Sequence, residues 1–254
     1  NSPNALDRIW AAHELSEKKG RKIVEYILLD AAKRDLFWGV RKEACDAYGK
    51  LKPKINATDL LWLENEKDNR VKRAFIGILK HSVGDPTVSE FLQKIIRSDT
   101  SYYAIADAFR VLTIIDSISA KKHVNDLLNI ESHNDVIRKA ALSYFGHVKN
   151  RYNYNRLKEL AEYGVFSWKS RPTVISELGK YQKYSPKTID YILPFIHDND
   201  RFVRMAVITH IGAHGSVDHF GLMDNAIGSD PVLSVNVLRA KDKINSRIKN
   251  KSDS

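Results

Sequence analysis

Apolar residues recur along this chain at the i, i+3, i+4 and i+7 spacing of one helix face, and no segment alternates with period two between hairpin turns. Leu6, Ile9, Trp10 and His13 form the first such stripe, and Ile23, Val24, Ile27 and Leu28 the second. The spacing therefore predicts paired helices over 6–17 and 22–33. Asp35 reads as the cap of a third helix that ends near Leu51 and is closed by Pro53. Asn56-Ala57-Thr58-Asp59 then starts its partner.

The same punctuation continues. Asp68-Asn69, Asp99-Thr100-Ser101, Asn134-Asp135, Ser170-Arg171-Pro172 and Asn199-Asp200 open further pairs. Asp85-Pro86 and Ser185-Pro186 start second helices, with proline in the first turn. The partner helices of the fourth and fifth pairs are expected near 120–130 and 153–163. Pro194 should kink or end the helix that holds it. Four glycines between 212 and 228 mark what should be the loosest stretch, and Asp230-Pro231 begins a last helix.

Within this pattern an aliphatic residue followed by a base returns at Val40-Arg41, Val71-Lys72, Ile137-Arg138 and Val203-Arg204. The steps between the bases are 31, 66 and 66, and Arg171 stands 33 from both Arg138 and Arg204. A register near 33 is the mark of a repeat array. The expected fold is all-α, an α-α superhelix of HEAT-like type with about seven helix pairs. It spans 1–254 as a single repeat domain, with a flexible basic tail from about 245. Arg41, Lys72, Arg138, Arg171 and Arg204 are read as structural, bonding caps or carbonyls of the adjacent turn. The register is broken at Tyr102-Tyr103-Ala104-Ile105-Ala106, where the base is lost.

Charge narrows the function classes. The net charge is +10, but residues 1–54 carry 12 bases against 8 acids and residues 239–254 carry 6 against 2. The long middle, 55–238, carries 23 against 21. A groove that tracks phosphates needs a continuous excess, so this distribution argues against nucleic acid. No apolar run approaches the roughly 20 residues of a membrane span. The lone Cys45 has no disulfide partner within the chain, which favours a reducing compartment, and a cytoplasmic location is expected. The start at Asn1-Ser2-Pro3, without Met, reads as a processed chain or fragment.

Candidate chemistry is sparse. His13-Glu14-Leu15-Ser16-Glu17 has glutamate where a His-Glu-x-x-His zinc signature needs its second histidine. His210 and His214 share a helix face, but Gly212 and Gly215 undercut a fixed metal site there. No phosphate loop, no Gly-x-Ser-x-Gly and no activated cysteine are present, so neither catalytic nor metal-binding residues and no cofactor are expected. The aromatic residues from Tyr152 to Tyr191 are the exception to this sparseness. Among them Tyr152, Tyr154, Trp168, Tyr181 and Tyr184 are the candidate partner-binding residues, because exposed Tyr and Trp dominate interface energetics.

The string Asp35-Leu36-Phe37-Trp38-Gly39-Val40-Arg41-Lys42-Glu43-Ala44 resembles the HEAT-like repeat region at the C-terminal end of family M1 zinc aminopeptidase-like proteins. There an Asp-Pro-Phe-Trp-Gly-Val-Arg type string opens a helix; Leu36 replaces the proline here. Asp99-Thr100-Ser101-Tyr102-Tyr103 and Asp200-Arg201-Phe202-Val203-Arg204 look like later repeats of that region, so the resemblance covers most of the chain. It implies an accessory, non-catalytic scaffold whose partners are proteins or peptides, including its own upstream catalytic domain. The family's His-Glu-x-x-His and Gly-x-Met-Glu-Asn motifs are absent, so no catalytic residue carries over.

Two alternatives remain open. Size, repeat type and basicity are similar to those of HEAT-like alkylpurine DNA glycosylases. That family's Trp-Trp-Asp string has no counterpart here: Trp10, Trp38, Trp62 and Trp168 stand alone. The other alternative is a free-standing adaptor.

Overall fold

The computed structural model describes residues 2–18, 22–228 and 230–252, with side chains to Asn250. The described residues are helical or in turns and contain no strand, so the protein is all-α. The chain divides into two compact units, 1–144 and 145–254.

The first unit holds α1 (Ala5–Leu15), α2 (Lys22–Arg34), α3 (Trp38–Lys50), α4 (Ala57–Asn65), α5 (Asn69–Ile78), α6 (Pro86–Ser98), α7 (Tyr102–Ile115), α8 (Ser117–Lys121), α9 (Val124–Asn129) and most of α10 (Val136–His147). Helices α1, α3, α5 and α7 pack one against the next. Their buried faces carry Val40, Ala44, Tyr48, Val71, Phe75, Ala104, Ala108 and Phe109, so alanine stands between larger side chains and lets helix backbones approach. The starts follow the punctuation. Asn56 and Asp59 form a reciprocal capping box at α4, while Asp68 and Asp85 accept backbone N–H groups at α5 and α6. Where one helix is expected at 120–130, two short ones, α8 and α9, form instead. Asn134 and Asp135, expected as caps, both adopt positive φ in the turn before α10.

The second unit holds the end of α10 with α11 (Arg151–Ala161), α12 (Arg171–Gly179), α13 (Thr188–Ile192), α14 (Arg201–His214), α15 (Phe220–Ile227) and α16 (Pro231–Ser252). Helix α14 packs between α12 and α16. Pro194 ends α13 early, and residues 193–197 continue as a 3-10 turn. The stretch expected to be loosest is largely helical. Gly212 is buried in α14, where a Cβ would come within 2.8 Å of the Ala240 backbone, so this glycine permits close α14–α16 packing. The tail expected to be flexible from 245 is also helical, because α16 runs through it. Ile244 is buried, and Arg247 donates to the carbonyls of Ala213 and Gly215.

The recurrent bases make one repeated set of contacts. Arg41 reaches back six residues to the Asp35 carbonyl and forward to the Glu66 carboxylate. Arg204 likewise donates to the Asp198 carbonyl, six residues back. Lys72 pairs with Asp99 at 2.9 Å, and Arg171 makes two hydrogen bonds to Asp198, at 3.1 and 2.6 Å. Arg8, which stands 33 before Arg41, belongs to the same set: it pairs with Asp35 and donates to the carbonyls of Ser2 and Pro3. Each acid also accepts the N–H two residues on, from Phe37, Asp68, Ser101 and Asp200. Asp35 is therefore not the cap of α3. That position is Phe37, which makes no side-chain cap bond, and the Asp35 carboxylate is committed to Arg8. The Arg8 hydrogen bond, with the Phe37 N–H and the nearby Arg41 charge, holds Asp35 below the usual carboxylate range. At Arg138 the pattern changes: it bonds Asp135 and the Leu128 carbonyl, and position 165, where an acid would be due, is valine.

Candidate functional site

The aromatic stretch of the second unit forms a cavity of about 400 Å³ lined by Lys149, Asn150, Arg151, Tyr154, Asn155, Tyr181, Tyr184 and Ser185. Its frame is set by backbone satisfaction. Asn150 caps α11 by accepting the Asn153 N–H at 2.8 Å, and the Asn153 amide donates to the Val148 carbonyl at 2.6 Å. This fixes the turn that carries Lys149 and Arg151. Tyr181 follows α12, is only 3% exposed, and donates its hydroxyl to the Phe145 carbonyl at 2.6 Å. Burial pushes that phenol up to about 12. The Tyr154 ring packs on Tyr181 at 5.1 Å between centroids, and its hydroxyl lies 3.2 Å from that of Thr188.

Tyr184 remains open. It is 69% exposed, and the Lys149 ammonium lies 5.3 Å from its ring centre. The five candidate residues therefore fall into different roles. Tyr154 and Tyr181 form one wall and Tyr184 the opening. Tyr152 is exposed at 69% but does not line the cavity. Trp168 also lies outside it, stacked on Phe202 with 6.4 Å between centroids. Trp168 stands three residues before the register base Arg171, as Trp38 stands three before Arg41. The Trp38 ring is likewise covered from further along the chain, by the Arg70 guanidinium at 3.3 Å. The two tryptophans are thus equivalent positions that brace adjacent helix starts.

Charge is uneven within the nearly neutral middle of the chain. Residues 145–191 carry nine bases against four acids, while 192–238 carry two against five. Arg156, Arg171 and Lys180 are spent in ion pairs. Among the described residues, Lys149, Arg151, Lys183 and Lys187 make none, and all four are exposed. No acidic side chain lines the cavity. Arg151 sits in the first turn of α11, where the helix dipole disfavours a cation and no acid offsets it.

The other candidate groups have ordinary partners. His13 Nδ1 lies 3.1 Å from Glu43. His210 is buried against Gln182, 3.2 Å away, and its ring lies 4.8 Å from that of His214. Burial, then the His214 charge, pushes His210 down to about 4. Cys45 is buried, which pushes its thiol up and away from nucleophilic use. Among the described residues no group of three His, Cys, Asp or Glu side chains is placed to hold a metal, and no helix is long and apolar enough to cross a membrane. No family model matches the chain, and no curated protein is significantly similar to it.

Proposed function

We propose that this chain is a non-catalytic interaction module, a HEAT-like α-α superhelix that works in the cytoplasm without a cofactor and takes a protein or peptide in the Tyr154–Tyr181–Tyr184 cavity. One observation carries the reading. The recurrent bases are consumed by the fold, whereas Lys149 and Arg151 stand unpaired beside an open tyrosine at a concave site. The likeness of the Asp35–Ala44 string to family M1 aminopeptidase-like proteins adds a second element: the module is the C-terminal accessory part of such a protein, and its partners include the upstream catalytic domain.

The test is site-directed photocrosslinking. A benzoylphenylalanine at position 184 should give discrete protein adducts in cells, while the same group at Leu36, which is 97% exposed, should not. Equal labelling from both positions, or none from 184, refutes the reading. For the family M1 element, the gene should encode a His-Glu-x-x-His region ahead of Asn1.

A further inference from the structure

Resting on the reading of this cavity as a partner site, we infer that its ligand is an acidic peptide segment, held by carboxylates against Lys149 and Arg151 with its backbone on Asn155 and Ser185. The lining is complementary to that chemistry. It offers two unpaired cations and the polar side chains of Asn155 and Ser185, with no acid to compete for them. Lys183 and Lys187 flank Tyr184-Ser185 in sequence and are likewise unpaired, so the approach to the opening is also positive. A lone cation at the start of α11 is unfavourable in the free protein, and a bound carboxylate would relieve it. The cavity, at about 400 Å³, suits a few peptide residues.

The rings favour peptide over single-stranded nucleic acid. Stacking of bases needs aromatic faces open to the ligand. Here Tyr181 is nearly buried, Tyr154 is packed on it, and Tyr184 already has the Lys149 ammonium near its ring. The tyrosines are walls around a charge site. The bases that would be needed to follow a phosphate backbone farther along the chain, at the recurrent register, are committed to carboxylates and carbonyls.

Fluorescence anisotropy on the full chain tests this, using an eight-residue peptide of alternating glutamate and glycine, the same peptide with glutamine for glutamate, and a ten-nucleotide oligothymidine, all with one dye and at physiological salt. The glutamate peptide should bind at least tenfold more tightly than the glutamine peptide. The Lys149→Ala/Arg151→Ala pair should weaken it tenfold or more with an unchanged unfolding midpoint. The control pair Arg239→Ala/Lys243→Ala, which removes the same net charge from exposed positions of α16, should leave binding within twofold.

Equal loss from both pairs means attraction to net charge alone and overturns the inference. Equal affinity for glutamate and glutamine peptides overturns it while leaving the partner-site reading intact. Failure of every probe to bind also overturns it, and the crosslink at position 184 then decides the partner-site reading separately. Tighter binding of the oligothymidine than of the glutamate peptide overturns both.

Discussion

The bases at the recurrent register and the bases around the tyrosine cavity are the same residue types in the same all-helical protein, yet they have opposite fates. Arg8, Arg41, Lys72 and Arg171 each end on a carboxylate from the following helix-to-helix loop, and the Arg171–Asp198 side chains are 6% and 8% exposed. Lys149 and Arg151 are exposed and meet no carboxylate, and the Lys149 ammonium lies only near the Tyr184 ring. The difference lies in the acid, not in the base. Where a loop supplies Asp or Glu six residues before the next register position, the previous base is fixed. Where it does not, the base turns elsewhere, as Arg138 does toward Leu128. The periodic charges at Arg8, Arg41, Lys72 and Arg171 are thus tied into the fold, and the aperiodic ones at Lys149 and Arg151 take no part in an ion pair.

The largest expected effect comes from breaking a buried rung. Asp198→Ala leaves Arg171 desolvated without its carboxylate and should cost about 3 kcal/mol in chemical denaturation. A loss below about 1 kcal/mol would place this pair with ordinary surface ion pairs. Tyr181→Phe removes the donor to the Phe145 carbonyl and should cost about 1 kcal/mol, read from the same titration. Trp168→Ala should cost up to about 1 kcal/mol through its contact with Phe202, without changing peptide affinity. A change in affinity would return Trp168 to the binding site.

A further effect follows from pH. His210 titrates near 6.5 when unfolded and is pushed down to about 4 in the fold by burial and by His214, with Arg247 and Lys183 facing His214. Between those values the unfolded chain binds more protons, so the stability present above pH 6.5 is lost progressively as pH falls toward 4. His210→Gln should flatten that limb of the midpoint-versus-pH curve; an unchanged slope contradicts the assignment.

Much of the fold is legible in the sequence because caps and apolar stripes are local signals. Asn56, Asp68, Asp85, Asp200 and Asp230 start helices as their residue types predict. Asp35 misleads because the same Asp-x-x pattern that signals a cap also supplies the carboxylate of an inter-helix rung, and only the distant Arg8 decides between the two. The acids Asp35, Glu66 and Asp198 are visible as a spacing, six residues before Arg41, Lys72 and Arg204, and Asp99 stands six before Ile105, but the bases they hold lie 25 to 27 residues away and become evident only in three dimensions. Gly212 reads as a breaker from sequence alone; its role depends on Ala240 across the α14–α16 contact. The tyrosine cavity was partly legible through its aromatic crowding, while Lys149 and Arg151 were masked by the acidic stretch that follows them.

The central claim, that register bases are structural and cavity bases are not, is tested most directly by equilibrium urea unfolding of Arg171→Gln beside Arg151→Gln. The account predicts a loss of about 3 kcal/mol for the first and a change within about 0.5 kcal/mol for the second. Equal losses from the two substitutions would contradict it.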